Sequence, residues 1–433
     1  MTRPDRASDG RRQRIAIIGS GIAGLGAAHA LATNHHVTVY EAEPRLGGHA
    51  RTLWAGQRSD QPVDTGFIVF NHANYPRLTA LFDELDIQTT PADMSFSVSL
   101  DNGAFEFALR KDRALRGIFG QPSNILSPRF LGLLRDILRF NAQAKAAARD
   151  PSLTLGALIE NLGLGDWFRD RFLVPFTAAI WSAPPKDVLA FPAQTLIAFL
   201  DNHGLLTHHA HPQWYSVKGG SAVYVDALAR AITARGGVFR TGHAVDAIRR
   251  ADTGAHVTAA GQTEFFDAVV LAVHADQALG MLVDATGPER AALADITFQP
   301  NTVVLHSDPT LMPVRRACWA AWNHVGSAAA ADAPVSVTYW MNALQVSIPK
   351  TDPLFVSLNP TRPVRDRLIF DQAVFHHPVY THQSIAARDR IRATNGTNNT
   401  WFCGAWLGNG FHEDGLASAQ SVADQLNGRC APR

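Results

Sequence analysis

Three adjacent polar residues near the end of the chain, His412, Glu413 and Asp414, have side chains that can move protons or bind a metal ion. They lie in the stretch GNGFHEDG, among glycines that let a backbone approach another surface closely. As a metal site the trio is poor, because consecutive helical residues point about 100° apart and no H-E-x-x-H pattern is present. Acids in a first helical turn instead complement the helix dipole and cap free N–H groups. The stretch therefore indicates a helix start, with the ring of His412 as a candidate catalytic base.

A second concentration of imidazoles lies at His203, His208, His209 and His211. The intervening residues are typical of a loop, and no acid is spaced as a partner ligand, so we predict no metal site. His203, in the stretch NHGLL, is a candidate proton acceptor near a substrate.

The clearest chemical pattern is GSGIAG, in which each glycine has a physical task. Gly19 allows a tight turn, Gly21 lets a pyrophosphate approach bare backbone, and Gly24 lets a helix pack against a strand. The N-terminus of that helix presents free N–H groups to a phosphate. Glu41 follows about twenty residues later, where a carboxylate accepts hydrogen bonds from ribose hydroxyls. Together these residues predict a dinucleotide site.

A βαβ unit must position these residues. The hydrophobic pattern predicts a strand over residues 14–18, a helix over 22–32 and a strand over 37–40. Further α/β stretches come much later in the chain, and we predict that they join the same sheet: a helix over 223–234, strands over 237–241, 268–273 and 400–405, and a helix over 412–426. The fold class is therefore α/β, with a discontinuous Rossmann-like domain.

The residues after Glu41 distinguish the cofactor. The stretch EAEPRLGGHART contains Arg45, Gly47, Gly48 and Thr52, and it resembles the E-x-x-x-R-x-G-G-x-x-x-[ST] signature of flavoproteins related to amine oxidases and phytoene desaturases. That resemblance implies FAD, with the arginine and glycines along its pyrophosphate and toward the isoalloxazine ring. It also implies that the backbone of a residue equivalent to Val245 meets the adenine.

A wider resemblance covers nearly the whole chain. Seven blocks occur in the order found in the bacterial group of predicted flavin-containing amine oxidases: VDTGFIVFN, AAIWSAP, NHGLL, WYSVKGGSAVYV, YWMNALQ, HPVY and FCGAWLGNGFHEDG. The resemblance implies an FAD-dependent oxidase or desaturase with an α+β substrate domain beside the FAD-binding domain. Members are often encoded beside methyltransferases similar to cyclopropane-fatty-acid synthases, which implies a lipid acyl substrate. The nearest analogy is the desaturase step of furan fatty acid formation; a flavin amine oxidase and a non-catalytic flavin or lipid sensor are the alternatives.

Combining the motifs with the resemblance gives the expected site. The expected FAD contacts are Gly19, Gly21, Ile22, Ala23, Gly24, Glu41, Ala42, Arg45, Gly47, Gly48, His49, Thr52, Thr65, Gly66, Val245, Gly404, Gly410, Phe411 and His412. The candidate catalytic residues are His412 and His203. The aromatic residues expected to line the substrate site are Trp181, Tyr339, Trp340, Tyr380 and Trp406.

The same considerations divide the chain into parts. We predict a disordered N-terminus, a discontinuous FAD-binding domain and a substrate domain, with these bounds: 1–13 for the N-terminus, 14–73, 208–279 and 395–433 for FAD binding, and 74–207 and 280–394 for the substrate domain.

Composition limits the partners. A net charge of +1 provides no field for a polyanion, so nucleic acid binding is not expected. Three scattered cysteines fit a reducing cytoplasm, and no apolar run reaches the roughly 18 residues of a membrane span. No second G-x-G-x-x-G follows a strand, which favours oxygen or another carrier over NAD(P)H as the electron acceptor.

One stretch leaves a membrane contact open. Residues 110–150 are basic, and Phe130, Leu134, Ile137 and Leu138 share one helical face. Such a helix either packs its apolar face into a core or docks on anionic lipid, and the sequence permits both readings. We expect a cytoplasmic protein, with peripheral contact on the inner face of the membrane as the second reading.

Overall fold

The computed structural model describes residues 12–181, 188–202, 205–206, 212–327 and 336–428, without the side chains of Trp181 and Asn202. The predicted disorder of residues 1–13 and the proposed role of His203 fall wholly or largely outside these ranges. So do the other three clustered histidines, 208, 209 and 211.

The strands come mostly from short apolar or alternating runs. In chain order they are β1 Arg14–Ile18, β2 His36–Glu41, β3 Thr52–Ala55, β4 Gln61–Asp64, β5 Phe70–Asn71, β6 Thr89–Ala92, β7 Phe96–Leu100, β8 Phe105–Leu109, β9 Trp214–Val217, β10 Val238–Thr241, β11 Val245–Ala251, β12 Gly254–Ala259, β13 Gln262–Phe266, β14 Ala268–Leu271, β15 Phe298–His306, β16 Trp322–Gly326, β17 Val337–Trp340, β18 Phe355–Leu358, β19 Ile369–Pro378 and β20 Thr400–Phe402.

The helices are α1 Ile22–Leu31, α2 Pro76–Glu84, α3 Ala114–Ile118, α4 Pro128–Ala147, α5 Leu155–Asn161, α6 Asp166–Phe168, α7 Val174–Trp181, α8 Ala193–Asn202, α9 Ala222–Ala234, α10 Ala275–Met281, α11 Gly287–Ala294, α12 Met341–Leu344, α13 His382–Thr394 and α14 His412–Leu426. A π-helical turn, Arg169–Leu173, joins α6 to α7.

A five-stranded parallel sheet, in the order β10-β2-β1-β14-β20, carries the glycine turn at the carboxyl end of its central strand. Its central strands are apolar at almost every position because both faces are covered. Ile15 and Ile17 pack against α1, α9 and α14 on one face, whereas Ala16 and Ile18 face the antiparallel β11-β12-β13 sheet on the other. The predicted α/β class and the joining of distant segments are confirmed.

The second large sheet has the order β19-β15-β18-β17-β16-β7-β8 and is antiparallel except where β16 runs beside β7. Helices α4 to α8 cover part of this sheet through an aromatic-rich core that includes Phe107, Phe130, Phe140 and Phe168. Two small sheets, β3-β4 and β5-β9-β6, complete the described strands. This half corresponds to the predicted α+β lobe.

Three helices pack differently from the predicted division. Helix α2 joins the core on one face of the parallel sheet, and α11 and α13 contribute Leu293 and Ile391 to the core on the other. The bounds at residues 73, 279 and 395 assign all three to the substrate domain. The structure places them with the cofactor half, because their apolar faces fit the two sides of the parallel sheet; the bounds themselves stay a prediction.

Helix α4 lies in the basic stretch and packs its apolar face into the core. Phe130, Leu133, Ile137 and Phe140 are buried in the core, so its apolar face is not available to lipid. Leu138, which the sequence placed on that face, is exposed. Within the described part of the chain, no helix has both the length and the apolar character that a bilayer crossing needs.

Candidate functional site

The glycine turn after β1 has the space that a pyrophosphate requires. A Cβ at Gly24 would lie 1.9 Å from the carbonyl oxygen of Gly19, so only glycine lets α1 pack this close to the turn. A Cβ at Gly21 would meet no protein atom within 4 Å, because this position faces a cavity. The free N–H groups at the start of α1 point to the same opening.

Glu41 is held in place at the end of β2. Its Oε2 accepts hydrogen bonds from the backbone N and the hydroxyl of Ser20 at 2.9 and 2.6 Å, and its Oε1 accepts from the N of Glu43 at 2.9 Å. A carboxylate has about four acceptor positions, so one remains for a ribose hydroxyl. Ala42 and Val245 line the cavity beside it, as expected for an adenosine end.

The glycine doublet is attached to the first turn. The N–H of Gly47 donates to the carbonyl of Ser20 at 3.0 Å, and Gly47 and Gly48 adopt φ angles of 108° and 57° that favour glycine. Arg45 closes the loop by donating from Nη1 to the carbonyl of Gly48 at 2.9 Å. The two glycine motifs therefore form one continuous backbone surface along the cavity.

The start of α14 explains the acidic pair of the GNGFHEDG stretch. Asp414 accepts a hydrogen bond from the N of Phe411 at 3.0 Å, and so caps its own helix. Glu413 accepts from the N of Arg77 and the N of Leu78, each at 3.1 Å, and so caps α2. Neither carboxylate lines the cavity, and no described residue accepts from the backbone N–H of His412. That N–H is available to a bound group.

The ring of His412 lies between two aromatic residues. It stacks on Phe67 with 3.6 Å between ring centroids, and its Nε2 is 2.8 Å from the hydroxyl of Tyr224. Burial, with a smaller contribution from His49, lowers the pKa of His412 to about 3. Burial, followed by the charge of Asp64, raises the pKa of Tyr224 well above its usual value. The pair is therefore neutral at physiological pH.

Three more imidazoles line the cavity near the glycine doublet. His49 lies 6.0 Å from His274 and 5.7 Å from His377 between ring centroids, and 4.9 Å from Phe375. Burial lowers the pKa to about 4 in His49 and His274 and to about 3 in His377, with their mutual repulsion adding to the effect. Within the described ranges no three metal-ligating side chains are arranged to hold a metal ion.

A single cavity of about 1810 Å³ connects these features. Ordinary ligand sites measure roughly 300 to 1,000 Å³, so this one has room for a dinucleotide and a substrate together. Beyond the glycine motifs the cavity continues into the other half of the molecule. We call this part the apolar arm; its walls include Ile118, Leu134, Ile137, Leu138, Phe172, Phe176, Ile180, Phe199, Leu205, Trp322 and Tyr339.

Most of the expected residues meet at this cavity. Its walls include Gly19, Gly21, Ile22, Ala23, Glu41, Ala42, Arg45, Gly47, Gly48, His49, Thr65, Gly66, Val245, Gly404, Gly410, Phe411 and His412, and from the expected substrate residues Tyr339 and Trp406. The space at Gly21, the pinned carboxylate and the free helix N–H groups fit FAD.

Two expected cofactor residues do not reach the cavity. Gly24 faces the turn, where it serves helix packing. Thr52 is turned inward: its hydroxyl donates to Asp64 at 2.6 Å and accepts from the N of Ala222 at 2.9 Å. Thr52 therefore fixes β3 to the start of α9 and does not contact the space available to a cofactor.

Two expected substrate residues also lie elsewhere. Trp340 packs edge-to-face on Trp319, 5.5 Å between ring centroids, in a separate small core. Tyr380 lies behind the loop at Gly410, with the guanidinium of Arg388 over its ring at 4.7 Å. Side chains alternate along a strand, so Tyr339 faces the arm while its neighbour Trp340 faces away. The side chain of Trp181 lies outside the described residues.

Several cavity residues were not predicted from the sequence. Phe172, Phe176 and Phe199 lie on helical segments where a cavity-facing aromatic residue has the same spacing as a core residue. Phe67 and His377 lie inside the blocks VDTGFIVFN and HPVY, whose sequences alone assign neither residue a role. Membership in those blocks was the available signal.

Comparisons with known proteins agree with this geometry. The sequence profile of the flavin containing amine oxidoreductase family matches residues 22–312. A CLA-producing fatty acid isomerase from P. acnes has 15% identity and a TM-score of 0.66, covering 97% of this chain and 99% of that one. A putrescine oxidase double mutant has 14% identity and a TM-score of 0.71, covering 96% and 99%. Cyclohexylamine oxidase from Brevibacterium oxydans has 16% identity and a TM-score of 0.65, covering 96% and 100%. Comparison with proteins of curated function returns no significant match.

Proposed function

We propose that this chain, which belongs to the flavin containing amine oxidoreductase family and is therefore an FAD-dependent oxidoreductase, acts on a lipid acyl chain. The reaction is the removal of hydride from an activated C–H bond and of a proton from a neighbouring position, which leaves a new double bond. The specific substrate is a methyl-branched, monounsaturated chain, as in the desaturation that leads to furan fatty acids. Oxygen is the electron acceptor.

The apolar arm is the observation that carries this proposal. It begins where His412 and Phe411 line the cavity and continues between Phe172, Phe176 and Tyr339. Removing apolar surface from water stabilises a complex by about 25 cal/mol for each Å² buried, so an arm with these walls favours a long acyl chain.

An amine substrate receives less support from the same walls. Apart from the adenosine end, the carboxylates that line the cavity within the described part of the chain are Asp93 and Asp112. Asp93 accepts a hydrogen bond from Ser95 at 2.7 Å, and Asp112 pairs with Arg110 at 3.0 Å. An alkylammonium ion entering the arm would lose hydration, and of these two carboxylates only Asp93 has no cationic partner among the described residues, so the walls offer it a single acidic contact.

The protein residues have separate tasks in this reaction. When bound, FAD would supply the hydride acceptor for this reaction. The N-terminus of α14 stabilises developing negative charge through its dipole and the N–H of His412. The neutral imidazoles of His49, His274 and His377 add polarity without a fixed positive charge. The aromatic walls hold the chain in place and exclude water.

Proton removal by His412 depends on its tautomer. If Nε2–H donates to the hydroxyl of Tyr224, then Nδ1 has a free lone pair and can accept a proton. If the hydroxyl donates to Nε2 instead, Nδ1 carries the hydrogen and cannot. The ring is therefore a base in only one of its two arrangements.

Anaerobic reduction of the flavin tests the substrate class. The FAD-loaded protein is mixed with a methylated, monounsaturated phospholipid dispersed in detergent, and the flavin absorbance is followed. We expect bleaching with this lipid, less with its unmethylated counterpart, and none with primary, secondary or diamine substrates. Bleaching by amines alone would overturn the lipid proposal. Stoichiometric FAD without reduction by any of these compounds would favour a sensor.

A further inference from the structure

Large apolar side chains are exposed in one short part of the chain. Leu126 and Leu115 have relative exposures of 86% and 73%, the highest among the large hydrophobic residues that the structure describes. In the same part of the chain, Ile125 and Leu131 are 52% and 47% exposed. Concentrated exposed apolar residues of this kind mark a contact with a partner or a membrane. We define the 111–131 surface as Lys111, Arg113, Leu115, Arg116, Ile125, Leu126, Arg129 and Leu131.

The backbone under this surface is anchored. The amide of Asn124 donates to the carbonyl of Glu106 at 2.9 Å, and Ser127 caps α4 by accepting from the N of Phe130. Gly117 packs against β8, where a Cβ would lie 2.7 Å from the carbonyl oxygen of Ala108. The apolar side chains thus project from fixed turns.

The same surface is positively charged. Residues 111–131 contain four basic residues and one acidic residue, a net charge of +3, while the whole chain carries +1. The acid, Asp112, pairs with Arg110 at 3.0 Å and with Arg113 at 3.7 Å. No described carboxylate lies within ion-pair distance of Lys111, Arg116 or Arg129. Exposed apolar groups surrounded by unpaired cations are complementary to an anionic lipid leaflet.

One end of the apolar arm opens beside this surface. Ala114 and Lys111 are exposed and line the cavity, and so does Leu138 across from them on α4. Ile118 and Leu134 line the arm further in. An acyl chain that leaves a leaflet at Leu115 therefore has an apolar route into the cavity.

We infer that the 111–131 surface docks on an anionic bilayer and that the substrate chain enters the arm directly from the leaflet. Leu115, Ile125 and Leu126 insert among the acyl chains, and Arg113, Arg116 and Arg129 contact lipid phosphates. The route of entry rests on the proposed lipid substrate; the docking does not. A second copy of this chain is a poorer occupant, because a two-fold interface would bring the same +3 surface against itself.

Vesicle sedimentation tests the docking with the FAD-loaded full chain. We expect binding to phosphatidylcholine vesicles that contain phosphatidylglycerol, weaker binding to phosphatidylcholine alone, and release by salt. Each basic residue near such a surface contributes about fivefold, so R113E/R116E/R129E loses on the order of a hundredfold or more in partitioning. The matched control R58E/K350E/R362E changes the net charge by the same amount at exposed positions elsewhere. It is expected to keep most of the preference for anionic over neutral vesicles.

The apolar contribution has its own pair of variants. L115D/L126D is expected to lose binding at least tenfold. The control V283D/V346D alters residues outside this surface that are 47% and 53% exposed. It is expected to bind anionic vesicles like the unaltered protein. Equal binding by both double variants, or equal binding of the unaltered protein to neutral and anionic vesicles, would overturn the docking. So would a dimer in light scattering that L115D/L126D dissociates.

Comparing two forms of the same lipid separates this inference from the proposed function. L115D/L126D should oxidise lipid in vesicles at least tenfold more slowly than the unaltered protein, and detergent-dispersed lipid at the same rate. An equal loss in both forms would contradict entry from the leaflet. Vesicle binding without flavin reduction by any lipid would reject the proposed function and leave the docking intact.

Discussion

At the scale of single residues, alanine substitutions at two glycines of one motif are expected to have different effects, one on cofactor binding and the other on stability. Gly21 has extended backbone angles and open space at its Cβ position, so alanine fits the protein but fills the space for the pyrophosphate. Gly24 has a backbone oxygen 1.9 Å from that position, so alanine there forces α1 away from the turn. We expect Gly21→Ala to weaken FAD binding at least tenfold with apoprotein stability within about 0.5 kcal/mol. Gly24→Ala should cost the apoprotein about 1–3 kcal/mol.

Flavin titration and urea unfolding of the apoprotein distinguish the two. Equal effects of both substitutions on apoprotein stability would contradict the assignment of Gly21 to a cofactor contact and Gly24 to packing.

The ring of His412 can be tested apart from its backbone. Because the expected flavin contact is the backbone N–H, His412→Asn should bind FAD within a few-fold of the unaltered protein. A pKa of about 3 makes the imidazole a weak base that stays neutral above about pH 4. We therefore expect flavin reduction to slow by less than about tenfold, since a true general base contributes about 10²–10⁴-fold.

The pH profile of flavin reduction provides the second readout. No ionisation of His412 should appear in it between about pH 5 and 8, given the lowered pKa. A rate limb in that range that disappears in His412→Asn would show that the ring moves the proton. Tyr224→Phe, which removes the partner of Nε2, should change the rate by no more than His412→Asn does.

At the scale of elements, one carboxylate connects two helices. Glu413 lies in the first turn of α14 but caps α2 through the N–H groups of Arg77 and Leu78. We expect Glu413→Ala to lower the free energy of unfolding by about 0.5–2 kcal/mol, the usual loss for a helix cap, in urea denaturation. Asp424→Ala on the same helix is the control, because the side chain of Asp424 makes no hydrogen bond with another described residue. A similar loss in both variants would show that the cap does not stabilise α2.

The sequence predicted the elements that local physics determines. Helix α14 has the bounds 412–426 that apolar spacing indicates, and β1 has the predicted bounds 14–18. Glycine spacing and the acid at the end of β2 indicated residues that the structure brings to one cavity, Gly19, Gly21 and Glu41, because each of them has a local geometric task.

Long-range partners could not be predicted in this way. The hydroxyl of Thr52 meets the N of Ala222, far along the chain, and Glu413 meets α2. The signature alone gave no sign that Thr52 would turn away from the cavity. Leu115 and Leu126 have ordinary local sequences, and only the fold shows that no core covers them.

At the scale of the whole molecule, the two sheets share the site. The parallel sheet presents backbone N–H groups at its carboxyl edge, where ligands bind in open α/β folds. The seven-stranded sheet contributes Trp322 and Tyr339 to the apolar arm, which α4 and α7 complete. Polar recognition and apolar capacity thus come from different halves. Under the proposed function, the reacting carbon lies where Phe411 and His412 line the junction of the two.

The seven-stranded sheet also makes stability depend on pH. Burial lowers the pKa of His306 and of His324 from 6.5 to about 4. His306 is fixed as the neutral ring, because its Nδ1 accepts from the N of Asp308 at 3.0 Å and its Nε2 is 2.8 Å from the hydroxyl of Ser357. Protonation of Nδ1 would break the first of these bonds.

We therefore expect the free energy of unfolding of the apoprotein to fall as the pH drops from about 6.5 toward 4. In that window the histidines bind protons in the unfolded chain but not in the folded protein. Each such histidine therefore lowers the free energy of unfolding by up to about 1.4 kcal/mol for each pH unit of acidification. Asp64 and Asp414, whose pKa values burial raises, work in the opposite direction, whereas the cavity histidines His49, His274, His377 and His412 act in the same direction as the two sheet histidines. Urea unfolding between about pH 7.5 and 5 measures the slope. His306→Asn should reduce this slope by the equivalent of up to one proton, whereas His36→Asn, at an exposed position, should leave it unchanged. An unchanged slope in His306→Asn would show that the buried neutral ring of His306 does not cause the pH dependence.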